Sequence, residues 1–494
     1  MMLLAISSAL MSLAFHPLPI HFLAWFGLVP LLFALENTRP AQSFESGIVF
    51  GFLFSMFTLF WIVFLQIETN IKLLIVFGLI LLFLYAGLYF GVAALAVRKI
   101  GTWSFAFAIV GLEYIRGIGE LGFPWLTFGY TQARYPIFIQ QAAVYGVYGI
   151  SFWLVMLNVA IYHTLRQRNL KHLALAAIIF LLPVIYGIAR PQTTGGRSAH
   201  LGIVQPNIDP NLKFSRELRH KTFDLLIDLS LRCVDVARQQ GTDQLDLIVW
   251  PETATPVFLK SPGRYQDLVM YLVDRLATPV FSGTVIYESR DREIFNGAVL
   301  VEPGRGAKQE YRKMHLVPFG EHIPFDRHIP LLRSVDFGEG DYAPGNEYTV
   351  FQTAKFRFSC LICFESIFTG LSRRFVSKGA EVLINITNDG WFGRISGAQQ
   401  HNNMAILRSV ENGVVMLRSA NTGISMIVDQ RGRVLSERPL FVDDVIVSEV
   451  PIDPIDTPYR KIGDAIPLLC LAIMTVLFTR SFIVDITKRG KPVS

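Results

Sequence analysis

The sequence predicts an α/β domain carried on a bundle of membrane-spanning helices, about eight in all, seven before the domain and one after it. Three observations predict this. Charge is unevenly spread: residues 1–100 hold only Glu36, Arg39, Glu45, Glu68, Lys72, Arg98 and Lys99, whereas residues 201–300 hold 24 charged side chains. Apolar stretches recur near the roughly 20 residues needed to cross about 30 Å of hydrocarbon. Between 198 and 452, short apolar runs alternate with amphipathic helical patterns, as α/β domains do. Composition agrees, because 17% charge in 494 residues falls well below the soluble norm of about 25%. It excludes disordered and collagen-like chains. The cysteines Cys233, Cys360, Cys363 and Cys470 are too sparse for a disulfide scaffold. The net charge of +6 is gathered in no run, which excludes nucleic acid as a partner.

Candidate spans lie at 3–15, 20–35, 47–66, 72–96, 103–115, 144–163, 173–189 and 464–484, the first and fifth being short. His16-Pro17-Leu18-Pro19 separates the first two, since proline stops a helix. Residues 1–15 lack the basic start of a signal peptide and read as a span. Arg39, Arg98, Lys99, Arg166, Arg168 and Lys171 fall on one side, with Lys488, Arg489 and Lys491 of the tail. Lys72, Arg116 and Arg134 fall on the other. The positive-inside rule then places both termini in the cytoplasm and residues 190–460 outside it. The expected organisation is a helical part over 1–190, an α/β domain over 198–452, a last span over 462–485 and a cytoplasmic tail over 486–494.

Within the domain, strands are expected at Ala199–Val204, Leu245–Trp250, Val280–Tyr287, Phe295–Glu302, Phe356–Ile362, Glu381–Ile386, 414–419 and 424–428. Helices are expected at 213–240, 264–277, Glu365–Lys378 and 397–412. Three strand ends carry reactive side chains. Glu252 follows the buried run ending at Trp250-Pro251, at the sheet rim where α/β enzymes place function; the plain alternative is a turn carboxylate. Lys313, in Tyr311-Arg312-Lys313-Met314-His315, is either a buried cation paired with Glu321 or a solvated lysine. Cys363, in Ser359-Cys360-Leu361-Ile362-Cys363-Phe364-Glu365, sits where a strand turns into a helix. There the helix N-terminus favours thiolate and free amides can hold an oxyanion.

Cys360 and Cys363 have C-x-x-C spacing, but Cys360 lies inside the strand pattern, on the opposite face from position i+3. A redox pair is the weaker reading. A Cys363–His315 dyad stays open beside a Glu–Lys–Cys set. His315 and His322 lack metal-ligand company, so no metal is expected. No phosphate loop is present either, so no nucleotide cofactor is expected.

Taken together and in order, Val204-Gln205-Pro206-Asn207-Ile208, WPETATP (250–256), RKMHLVPFGEHIP (312–324), CFES (363–366), NDGWFG (388–393) and RSANTGIS (418–425) resemble the nitrilase superfamily. The flanking spans, with Gly122–Tyr130 and Gly146–Phe152, narrow the resemblance to the apolipoprotein N-acyltransferase family over nearly the whole chain. The resemblance implies a nitrilase-like α-β-β-α sandwich. It implies Glu252 as general base, Lys313 as the cation near the tetrahedral oxygen and Cys363 as nucleophile. Glu321, Phe364, Glu365, Asn388 and Trp391 fall on supporting or substrate-binding positions. Phe364 and His322 stand where the family often has Tyr, and Phe214 where it has Trp.

The implied reaction is ping-pong transfer of an acyl chain from a membrane phospholipid, through a Cys363 thioester, to the N-terminal amine of a diacylglyceryl-cysteine lipoprotein. No cofactor is implied. The implied partners are the phospholipid donor, the apolipoprotein acceptor and the bilayer. The chain is expected to act as a monomer in the bacterial inner membrane, with its catalytic domain periplasmic. The rival readings are a membrane-tethered nitrilase-type amidase and a transporter with an external binding domain. A carboxylate that deprotonates a thiol is expected in an apolar site that raises its pKa. Apolar loop residues within 323–345 and Trp391-Phe392-Gly393 are candidates for lipid contact. Replacing Leu331 and Leu332 with serine should then slow turnover of lipid substrates while far-UV circular dichroism stays unchanged. Unchanged turnover would remove the loop from lipid binding.

Overall fold

The computed structural model describes all residues except 66–71, 192–195, 210–215, 291, 327–341 and 490–494. The chain divides into two compact units, Met1–Pro191 with Lys461–Ser494, and Gln192–Arg460.

In the first unit, five described helices are long and apolar enough to cross a membrane: Pro40–Phe64, Ile75–Lys99, Ala142–Gln167, Leu170–Ala189 and Ala465–Asp485. Three shorter apolar segments, Met2–Leu13, His21–Ala34 and Ser104–Ile115, accompany them. The stretch expected as one span over 20–35 is broken. A 3-10 turn, His21–Trp25, is followed by a separate helix, Val29–Ala34, with Pro30 in its first turn. Proline lacks the amide that a helix interior needs, but the first turn does not. Small residues let two long helices approach closely. A Cβ on Gly47 would lie 2.4 Å from the Phe90 carbonyl oxygen, and one on Gly51 would lie 2.8 Å from the Gly87 Cα. This is the small-residue packing that membrane helices use where no hydrophobic drive separates protein from lipid.

The second unit is a two-layer sheet sandwich. In chain order its strands are β1 Ser198–Gln205, β2 Leu247–Val249, β3 Val280–Glu288, β4 Glu293–Glu302, β5 Gly306–Arg312, β6 Phe351–Gln352, β7 Arg357–Ile362, β8 Val382–Thr387, β9 Val415–Ala420, β10 Ser425–Val428, β11 Val434–Arg438 and β12 Asp444–Pro451. One six-stranded sheet runs β12-β1-β2-β3-β4-β5 and the other β11-β10-β9-β8-β7-β6. The triplets β1-β2-β3 and β7-β8-β9 are parallel and the outer pairings antiparallel. Both sheets are therefore mixed. The parallel strands β2 and β8 are buried along their whole length, as strands covered on both faces must be.

The inner faces meet through aromatic rings: Phe281 of β3 lies 5.0 Å from both Phe351 and Phe358. Four helices, α1 Arg216–Gln239, α2 Arg264–Leu276, α3 Thr369–Ser377 and α4 Ser396–Asn412, cover the outer faces. Phe223, Leu226 and Leu229 of α1 and Val269, Leu272 and Val273 of α2 form one core with Val204, Ile248, Val280 and Val299 of the first sheet. Helices α3 and α4 lie on the second sheet. The order helix, sheet, sheet, helix is the nitrilase-like sandwich that the resemblance implies.

Near the end of β9, the Ser419 hydroxyl donates to the carbonyls of Val204 (3.0 Å) and Val249 (3.4 Å), near the ends of β1 and β2. The carboxyl ends of the two sheets thus share one edge. Strands β5, β6, β11 and β12 were not expected. β6 spans two residues, and β5 and β11 sit at sheet edges with half-polar patterns that imitate loops. The helix expected from Glu365 is also delayed. A 3-10 turn, Cys363–Ile367, comes first and extended Phe368 (φ −89°, ψ 108°) separates it from α3.

Gly283 on β3 gives the loop after β2 its seat. A Cβ there would lie 2.5 Å from the Thr253 amide nitrogen and 2.7 Å from the Glu252 Cα. Backbone cannot yield as a side-chain end can, so Gly283→Ala should displace residues 251–253. The expected cost is about 1–3 kcal/mol, typical of overpacking, read as a lower thermal midpoint for the purified protein. An unchanged midpoint would show that the loop relaxes freely.

Candidate active site

The edge shared by the two sheets gathers the reactive residues. Glu252 follows β2, and Lys313 and Cys363 directly follow β5 and β7. Lys313 is almost wholly buried, with Nζ 2.8 Å from Glu321 Oε1 and 3.6 Å from Glu252 Oε1. The Asn296 side-chain amide, from β4, donates to both carboxylates at 2.8 Å. Glu321 is fixed in turn by the Val317 amide at 2.8 Å. Burial works against the Lys313 charge, but Glu321 and Glu252 overcome it and hold the ammonium above its ordinary pKa. Glu252 is buried as expected, yet its surroundings are not apolar, because an ammonium and an amide face it. That expectation is corrected.

Cys363 adopts φ +50°, the left-handed region that a residue with a Cβ rarely occupies. Its thiol is pushed well above the ordinary cysteine range, first by burial and then by the Glu252 charge, with Lys313 pulling the other way. Electrostatics therefore couples all three residues. Glu365 is fully buried and joins two of the loops. Its Oε1 accepts from the Tyr311 hydroxyl (2.7 Å) and the Met314 and His315 amides (2.7 and 3.1 Å), while Oε2 accepts the Ile362 amide at 2.7 Å. Burial raises its pKa to about 7.

A second network lies on the other side of Cys363. Asp389, His401 and Arg418 are all fully buried. Asp389 Oδ1 sits 3.0 Å from His401 Nδ1, and Arg418 donates to Asp389 Oδ2 at 2.7 Å. His401 Nε2 is 3.0 Å from both the Cys363 carbonyl oxygen and the Ser366 hydroxyl. Burial would raise the Asp389 carboxyl, but Arg418 and His401 hold it below the usual range. Burial and then Arg418 lower the His401 pKa. Side-chain atoms of Cys363, Asp389 and His401 lie within 4.8 Å of one another, a grouping that offers metal-ligand atoms. A metal dication there would meet the Arg418 guanidinium, already bound to Asp389 and 3.1 Å from His401 Nδ1. The donor set fits a hydrogen-bond network better than a metal.

Asn388 is buried and accepts from the Asn421 side chain at 3.0 Å, which ties this loop to residues 207–208. Trp391 is half-buried in the 3-10 turn Asp389–Phe392. His315, weighed as a partner for Cys363, instead packs its ring 4.5 Å from Phe368. Cys360 is buried within β7, and all four cysteines are free. Residues 327–341, including Leu331 and Leu332, lie outside the described residues.

Residues 7–160 match the family model of the apolipoprotein N-acyltransferase N-terminal domain, and residues 200–457 match that of carbon-nitrogen hydrolase. An apolipoprotein N-acyltransferase of Geobacter metallireducens is 34% identical, covering 97% of this chain and 94% of its own. One of Chlorobaculum tepidum is 31% identical, covering 96% and 94%. The chain belongs to the apolipoprotein N-acyltransferase family. Among solved structures, Saccharomyces cerevisiae Nit3, a member of branch 10 of the nitrilase superfamily, aligns at 18% identity with a TM-score of 0.41, over 54% of this chain and 93% of its own.

Two departures from the apolipoprotein N-acyltransferase pattern can now be placed. Phe364 is buried with its ring edge-on to Phe368 at 5.2 Å, an apolar setting that suits the missing hydroxyl. His322 accepts the Phe319 amide on its carbonyl, and its Nδ1 has no hydrogen-bond partner among the described residues. Phe214 lies outside the described residues.

The signs of the charges around Cys363 give a direct test. Glu252→Gln removes a negative charge, so the thiol pKa should fall. Lys313→Met removes a positive one, so it should rise. Iodoacetamide alkylation of Cys363 followed across pH reads both shifts. Shifts in the same direction would show that these charges do not reach the sulfur.

Proposed function

We propose that this chain is an N-acyltransferase that moves a fatty acyl chain from a membrane phospholipid to the N-terminal amine of a diacylglyceryl-cysteine lipoprotein, through a thioester on Cys363. The observation that supports this most is the meeting of Glu252, Lys313 and Cys363 at one sheet edge, in a chain of this family. Glu252 takes the proton of the Cys363 thiol, and sulfur attacks the ester carbonyl of the phospholipid. The oxygen of the tetrahedral intermediate is held by Lys313 and by the Phe364 amide. When the C–O bond breaks, the lysophospholipid oxygen leaves with the proton from Glu252. The acceptor amine then attacks the thioester, Glu252 takes an amine proton, and the C–S bond breaks to release the amide. That proton returns to sulfur.

Glu321 and Asn296 orient Lys313 and Glu252, and Glu365 fixes the loops that carry Lys313 and Cys363. A thioester lies uphill of an amide, so no nucleotide is consumed. By the positive-inside rule we place the chain in the bacterial inner membrane, with residues 198–452 periplasmic and both termini cytoplasmic. The helices on either flank suit two lipid-anchored substrates.

The test is the intact mass of wild type, Cys363→Ala and Cys360→Ala protein after incubation with phospholipid and no acceptor. A hydroxylamine-labile acyl adduct absent only from Cys363→Ala is expected. Glu252→Gln should form it about 10²–10⁴-fold more slowly, the usual range for loss of a general base. An adduct that moves with Cys360 would relocate the nucleophile. An adduct that hydrolyses as fast without amine as with it would favour the amidase.

A further inference from the structure

The carbonyl oxygen of Cys363 is held from three directions. The Ser366 hydroxyl donates to it at 3.0 Å, His401 Nε2 lies 3.0 Å away and the Asn385 side-chain amide is 3.4 Å away. A carbonyl oxygen only accepts, so Nε2 carries the ring proton, and this is true of the neutral and the charged ring alike. At the other ring nitrogen, Nδ1 accepts from Arg418 at 3.1 Å when the ring is neutral and donates to Asp389 Oδ1 at 3.0 Å when it is charged. Gly423 makes room for this arrangement, since a Cβ there would lie 2.4 Å from Asp389 Oδ2. His401 projects from α4, a helix whose residues Ser396–Ala398 and Gln400–Asn412 are buried.

The Cys363–Phe364 bond is trans, so its C=O and N–H point in opposite directions. Holding the carbonyl toward His401 therefore turns the Phe364 N–H away from α4. Cys363 holds φ +50°, and a left-handed residue with a Cβ costs about 1–2 kcal/mol, so hydrogen bonds to its carbonyl help to hold a strained backbone in place. We propose that His401 is a positioning residue for acyl transfer. Through its hydrogen bond to the Cys363 carbonyl it sets the plane of the Cys363–Phe364 peptide, so that the Phe364 N–H faces the oxygen of the tetrahedral intermediate. Asp389 and Arg418 act through His401 by fixing its ring. This rests on the acyl-transfer reading above and adds to it a residue that acts through the backbone of Cys363.

The test compares two reactions of the same sulfur in the full-length protein in detergent. Acylation by mixed micelles of dioleoyl phosphatidylethanolamine and phosphatidylglycerol passes through an oxyanion. Alkylation by iodoacetamide displaces iodide at carbon and develops none. His401→Leu should slow acylation about 10²-fold, the scale of losing one oxyanion donor, with alkylation within about threefold of wild type. His401→Gln keeps an N–H of similar reach and should restore most of the acylation rate. Ser366→Ala removes a neighbouring donor to the same oxygen and should show the same split; it carries the test if His401→Leu does not fold. Acylation at the wild-type rate, or acylation and alkylation falling together, would overturn the proposal. A wild type that forms no adduct on Cys363 would instead overturn the acyl-transfer reading itself.

Discussion

The candidate site depends on one buried carboxyl group. Glu365 accepts the Ile362 amide just before Cys363 and the Met314 and His315 amides just after the buried lysine. Cys363 follows a strand of one sheet and Lys313 follows a strand of the other. The two sheets pack through apolar rings, which carry no directional hydrogen bonds. Glu365, together with the Ser419 hydroxyl, ties the sheets at the edge where the reactive residues gather. A side chain with two acceptor oxygens can serve several amides at once, which a hydroxyl or a single amide cannot.

The same logic explains why the network on the Lys313 side is so polar while buried. A buried ammonium alone costs several kcal/mol, and its loss of hydration must be matched by partners. Glu321 and Glu252 supply them within 3.6 Å, and the Asn296 amide donates in turn to both carboxylates. Lys313 gains a fixed position rather than net stability, and a fixed cation is what an oxyanion needs.

Much of this was legible in the sequence, because each of Glu252, Lys313 and Cys363 ends or follows an apolar run, and strand ends are where a sheet exposes function. The sandwich itself came from the family resemblance; alternation alone indicates only an α/β domain. Asn296, Tyr311, Asp389, His401 and Arg418 were not singled out, for different physical reasons. Asn296 and Tyr311 lie within strands, where a lone polar residue looks like the solvent face. Gln400-His401-Asn402-Asn403 reads as a solvated helix face, yet all four are buried. Arg418 did leave a signal. A charged residue within a run otherwise fit for a buried strand must find a counter-charge, and Asp389 is that counter-charge. The edge strands β5 and β11 were hidden by their polarity.

Glu252 and the Asp389–His401–Arg418 network both lie near Cys363, and charge balance separates them as proton acceptors. On one side, Asp389 and Arg418 neutralise each other at 2.7 Å, and the lowered pKa of His401 keeps its ring a poor base. A proton moved to His401 would place an imidazolium beside the Arg418 guanidinium, 3.1 Å from Nδ1. On the other side, Glu252 and Glu321 share the single cation of Lys313, which leaves one negative charge in excess. A proton passing from Cys363 to Glu252 transfers that excess to sulfur and creates no new charge in the buried site. The resulting thiolate keeps Lys313 as its counter-ion, and Glu321 keeps the ammonium in place. Moving an existing charge within a low-dielectric pocket costs far less than separating a new pair. On the proposed acyl-transfer reading, this charge balance supports Glu252 as the base, with His401 holding the backbone.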